Sequence, residues 1–211
     1  MSYQRGEAEA LPFEEASFDV VTCQTVLIHA REAERVLAGM RRVLKPGGLL
    51  IVAEPSNLSG ALVLGRTRFT APTDELLEHV RFQLICERGK EALGEGNNSV
   101  GELVPGMFSR LGLTELRVYQ SDMASPFLPP YATPAQQAQR AQLLEWADRD
   151  FWIWDHQDTR RFFVAGGGSE EDFGRSWAIV RATTQRVAAA IRAGTEEMAG
   201  AGAFLLVSGR R

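Results

Sequence analysis

Two short apolar runs, Phe18-Asp19-Val20-Val21-Thr22-Cys23 and Leu49-Leu50-Ile51-Val52-Ala53, flank a single amphipathic stretch that ends in Pro46-Gly47-Gly48. No other feature of the chain restricts its fold as much. Runs this short and this apolar suit strands buried within a parallel sheet. Between them Val36, Leu37, Met40, Val43 and Leu44 fall on one face and predict a helix over 30–44. The proline cannot continue that helix and the glycines tolerate the backbone of a tight stop. Strand, helix and strand then form a βαβ unit, with parallel strands and a right-handed crossover.

The same reading extends to the end of the chain. A helix is expected over 74–92, with Leu76, Leu77, Val80 and Leu84 on its packed side. Ser99-x-x-Glu102 has the spacing of a capping box for a shorter helix ending at Gly112, in which Pro105 introduces a kink. Residues 113–120 alternate as a strand does. Thr133-Pro134-x-Gln136 combines an N-cap, a proline at N1 and a glutamine able to reach back, so a helix runs from there to about 148. Ser169 caps another, carrying the stripe Phe173, Trp177, Val180, Thr184, Val187 and Ile191 and stopped by Gly194. Residues 203–208 form a last apolar strand. Repeats, linkers and low-complexity tracts are absent, which predicts one domain over 1–211 with a helical, lid-like insert at 121–202.

Composition narrows the function classes. A net charge of −4 argues against a nucleic-acid backbone as partner, since that would favour a basic face. No apolar run approaches the ~18 residues that span a bilayer, so neither nucleic acid nor membrane is an expected partner. The two cysteines, Cys23 and Cys86, make no C-x-x-C pair, which argues against a disulfide framework or a zinc site and for reduced, buried residues in a cytoplasmic protein. No metal site is expected.

Gly6-Glu7-Ala8-Glu9-Ala10-Leu11-Pro12-Phe13, followed by Phe18-Asp19 and by Arg42-Val43-Leu44-Lys45-Pro46-Gly47-Gly48, resembles class I S-adenosylmethionine (SAM) dependent methyltransferases of the small-molecule type. The resemblance implies a Rossmann-like sheet of order 3-2-1-4-5-7-6, mostly parallel with an antiparallel last strand, and SAM as cofactor. It places Glu7 against the adenine amino group, a task suited to an ionised carboxylate that only accepts hydrogen bonds. The Ala8 N–H would meet a ring nitrogen. Gln24 and Thr25, at the carboxyl end of a strand where ligands of open α/β sheets lie, flank the methionine part. Glu54 and Asn57 border the acceptor pocket in that family. His29 stands where the family often has a histidine, either a general base or, preferably, a structural residue. Trp152 and Trp154, with Trp146 and Phe151, either line a substrate pocket or pack the insert, and packing is the favoured reading. Gly166-Gly167-Gly168 lacks both phosphate-loop spacings and is read as an approach to the Ser169 cap.

An acidic residue followed by G-x-G-x-G, which the family uses to hold the methionine and ribose, is not in this sequence. Residues 2–5 resemble the tail of a third strand. The resemblance therefore implies an N-terminally truncated domain that lacks the first strands. Losing two or three charge-assisted hydrogen bonds would weaken cofactor binding by about two to five orders of magnitude. Residues 20–23 would form an exposed apolar sheet edge, prone to self-association into a homo-oligomer. Two functions follow: SAM-dependent methyl transfer to a small-molecule acceptor, with this chain inactive alone, or a non-catalytic remnant that binds a ligand or oligomerises. A nicotinamide-dependent enzyme is disfavoured, because no dinucleotide fingerprint is present.

Overall fold

A computed structural model describes residues 3–62, 65–121, 124–199 and 202–211. In chain order the elements are β1 (Phe18–Gln24), α1 (Ala33–Val43), β2 (Leu44–Pro55), α2 (Thr73–Ala92), α3 (Val104–Arg110), β3 (Thr114–Gln120), α4 (Pro134–Asp148), α5 (His156–Ala165), α6 (Glu170–Arg192) and β4 (Phe204–Arg210). One-turn helices at Asn57–Gly60 and Arg66–Phe69 and 3₁₀ turns at Leu27–His29 and Val100–Leu103 complete them.

The elements fall into two compact units. One unites residues 1–57, 94–122 and 203–211 and holds the sheet, ordered β1-β2-β4-β3. β1 and β2 are parallel, with Val20 opposite Leu49 and Gln24 opposite Ala53, as the βαβ reading requires. β4 runs antiparallel to both β2 and β3. The fold is thus α/β, in the order and direction that the resemblance implies for its fourth, fifth, seventh and sixth strands. Leu37, Leu50, Val52, Val104, Phe108 and Val207 are buried together against this sheet. β1 lies at its edge, with Val20 51% and Phe18 36% exposed. Tyr3, Gln4 and Arg5 form no strand, and Ser2 lies outside the described residues.

The second unit, residues 58–93 and 123–202, is helical. Its core joins Phe82, Cys86, Phe162, Phe163, Phe173 and Trp177. The long insert is therefore packed with a second stretch, 58–93, that the periodicity identifies only as a helix. The face of α2 also differs from expectation: Leu77 is 62% exposed, and the buried side carries His79, Phe82, Gln83, Cys86 and Gly89. Gly89 explains the rotation. A Cβ there would stand 1.7 Å from the Phe162 carbonyl oxygen, so α2 and α5 cross where one has no side chain.

Local signals fared unevenly. Thr133 accepts from the Gln136 N–H at 3.2 Å while the Gln136 side chain accepts from the Thr133 N–H, a complete capping box. Ser169 likewise accepts from the Asp172 N–H at 3.0 Å. Ser99, by contrast, makes no side-chain cap bond; Val100–Leu103 is a 3₁₀ turn, and Pro105 sits in the first turn of α3, where its missing N–H costs nothing. The helix expected over 30–44 is shorter, Ala33–Val43, because Leu44 already pairs with Phe18.

Candidate functional site

The loop Gly6–Phe13 folds back on itself through a bridge between Glu7 and Ala10, with the Ala10 N–H donating to the Glu7 carbonyl at 3.1 Å. Arg42 from α1 pins its far end, donating to the carbonyls of Phe13 (2.8 Å) and Leu11 (2.9 Å). This leaves the Glu7 carboxylate exposed and Ala8 half-buried. The Ala8 N–H has no acceptor among the described residues.

The carboxyl end of β1 lies beside it. Thr25 donates its N–H to Ala53 at 3.0 Å and holds a left-handed backbone, φ +55°, unusual for a β-branched residue. Such a conformation costs of order 1–3 kcal/mol and persists only where the surroundings impose it. Glu54 imposes it. Its side chain is fully buried at the end of β2, and its Oε1 accepts from the Val26 and Leu27 N–H groups, both at 2.9 Å. One carboxylate therefore holds the turn that follows β1, while its Oε2 is buried without a partner among the described residues. The Cys23 Sγ lies 4.0 Å from the same Oε1, and burial, then the Glu54 charge, push the thiol up to about 12. From the other side Gly96 fits under the turn: a Cβ there would meet the Ile28 carbonyl oxygen at 2.3 Å.

Glu7, Ala8, Val26, His29, Arg31 and Arg35 line one cleft of about 570 Å³, within the range usual for small-ligand sites. The structure thus brings Glu7, Ala8 and His29 together and sets Gln24 and Thr25, both exposed, at the adjoining strand end. His29 is exposed, and its N–H donates to Val26 at 3.1 Å. Glu54 faces the chain's own amides, and Asn57 donates its side-chain amide to the Asn98 carbonyl at 2.7 Å. Trp152 and Trp154 belong to the helical unit, with ring centroids 5.9 Å apart. Arg31, Arg35 and Gly96 were not legible as site residues; only the family spacing around them carries any signal. Among the described residues no group of three or more His, Cys, Asp or Glu side chains is placed to hold a metal.

Residues 1–52 match the family described as Methyltransferase domain. The likeness to methyltransferases is thus carried by this stretch of the chain. A demethylmenaquinone methyltransferase from Renibacterium salmoninarum is 52% identical over 52 residues, 25% of this chain and 22% of that protein. A ubiquinone/menaquinone biosynthesis C-methyltransferase UbiE from Psychromonas ingrahamii is 44% identical over 90 residues, 43% of this chain and 32% of that protein. The chain thus spans between about a fifth and a third of the length of these curated relatives. Among solved structures, a Haemonchus contortus phosphoethanolamine N-methyltransferase 2, in complex with phosphomonomethylethanolamine and S-adenosylhomocysteine, aligns over 97% of this chain and 36% of its own, at 15% identity and a TM-score of 0.37. The cofactor of the methyltransferase family is SAM. The loop at residues 6–13 fits its adenine end on two observations, the acceptor-only Glu7 carboxylate and an Ala8 N–H with no acceptor among the described residues, on two residues that line one cleft.

Proposed function

We propose that the protein transfers a methyl group from SAM to a small-molecule acceptor, and that the segment described above supplies the adenine and methyl-donor side of the site. The observation that carries this reading is the shared cleft of Glu7, Ala8 and His29 beside the strained strand end at Thr25. When bound, SAM supplies a methyl group already activated on a sulfonium. The chain's task is then orientation, which can provide most of the rate. Glu7 accepts from the adenine amino group and the Ala8 N–H meets the ring. Gln24 and Thr25 hold the methionine side, and Glu54 keeps their strand end in place. Where the acceptor is a hydroxyl, His29 is the base candidate. Glu54 and Asn57 would border the acceptor on the sheet side, and Trp152 and Trp154 would be walls of a pocket of their own within the helical unit. No described helix is long and apolar enough to cross a membrane, and we place the protein in the cytoplasm, in keeping with two cysteines free of disulfides.

Calorimetry with S-adenosylhomocysteine tests the reading. Saturable heat is expected, with Glu7→Ala weakening binding about tenfold. Absence of heat at millimolar ligand would sink it. The exposed apolar edge of β1 supports a second reading, in which this chain associates with a second copy of itself through Val20 and Phe18.

A further inference from the structure

The helical unit holds a partly open cavity of about 270 Å³. Trp146, Phe151, Trp152, Ile153, Val187 and Met198 give it apolar, largely aromatic walls. A cavity of about 150 Å³ is enough for benzene, so this one has room for a substituted ring or a fused pair. Three polar side chains interrupt the walls. His79 is 6% exposed, and its Nδ1 is buried with no partner. Arg68 donates from Nη2 to the Ala61 carbonyl at 3.0 Å, while its Nε is buried and unpaired. Among the described residues no carboxylate forms an ion pair with Arg68. Glu196, fully buried on the same wall, is occupied by Thr67, accepting from its N–H at 3.2 Å and from its hydroxyl. Burial and then the Arg68 charge hold the His79 imidazole down to about 4, which leaves it neutral in the physiological range.

Arg68 and His79 both line this aromatic-walled space, and each carries a buried nitrogen with no partner among the described residues, a costly feature unless something meets these side chains. A guanidinium on a planar acid provides a charge-assisted hydrogen bond, and the ring faces suit the indole and phenyl walls. We propose that this cavity binds a flat aromatic acid of one or two rings, its carboxylate on the Arg68 guanidinium and a ring hydroxyl or carbonyl against the His79 imidazole. The site lies wholly within one unit and does not depend on SAM.

Calorimetry at neutral pH without SAM, using 2-naphthoate and its uncharged counterpart 2-naphthamide, tests it. Naphthoate is expected to bind about tenfold tighter or more. Arg68→Met, which keeps the apolar stem, brings naphthoate to the level of the amide. Thr184→Phe, which fills the cavity from its wall, abolishes both, with circular dichroism reporting that the fold is intact. Naphthoate binding no tighter than the amide, no heat at millimolar naphthoate, or naphthoate binding that survives Thr184→Phe would overturn the proposal. Should Arg68→Met fail to fold, the comparison of the two probes on the unaltered chain still decides. Failure here leaves the methyl-transfer reading untouched, since that rests on S-adenosylhomocysteine binding in the other unit.

Discussion

Glu54 illustrates how much a single buried carboxylate can organise. Replacing it with alanine leaves the buried Leu27 N–H and the part-buried Val26 N–H unmet, an expected loss of about 3 kcal/mol in urea unfolding. Glu54→Gln keeps one acceptor oxygen and is expected to cost about half of that. His79 gives a pH dependence of definite sign. Its folded-state pKa is depressed from 6.5 to about 4, so the unfolded chain binds the proton first. Stability is therefore full above pH 6.5 and falls as the pH drops toward 4, by up to about 3 kcal/mol. Arg68 and Glu196 face the same cavity. A urea midpoint that falls between pH 7 and 5 in the parent, and much less in His79→Phe, is the expected result. These roles were only partly legible. Glu7, Ala8 and His29, which the family spacing labels, do line one cleft. Nothing in Val52-Ala53-Glu54 says that the glutamate turns inward, because that depends on where the Val26 amide arrives from a distant strand.

At the scale of elements, the readings that succeeded rested on chemistry within four residues. Thr133 and Ser169 cap their helices because donor and acceptor are neighbours in the chain. Thr133→Ala is expected to cost about 1 kcal/mol in thermal or urea unfolding. The packed face of α2 depends on a distant partner and escaped the periodicity for that reason. The apolar residues Leu76, Leu77, Val80 and Leu84 make a tidy stripe, yet the helix turns Gly89 toward α5 so that backbones can touch. α5 itself, His156–Ala165, was not foreseen; its charged residues Asp158, Arg160 and Arg161 dilute the apolar pattern. Two glycine replacements separate these effects. Gly89→Ala drives a methyl into the Phe162 carbonyl and should destabilise by about 3 kcal/mol. Gly174→Ala, on an exposed turn of α6 with open space around it, should stabilise by about 1 kcal/mol.

For the whole molecule, the α/β class and the strand order were legible, since the βαβ unit fixes two strands and the family order supplies the rest. The division into two units was not, because 58–93 leaves the sheet region and joins helices that come much later in the chain. The edge at β1 makes a prediction about association. Sedimentation velocity should show mass rising with concentration, and Val20→Lys should shift the chain to monomer, since an inward charge blunts an edge. The place of β4 carries a further consequence, for synthesis on the ribosome. It is the last of the four strands to be made, yet it sits between β2 and β3, which do not touch each other. A nascent chain lacking residues 204–210 can pair β1 with β2 but has no way to bring in β3. Sheet completion must therefore wait until the C-terminal segment clears the exit tunnel, and a chain arrested before Phe204 should expose 94–121 to protease.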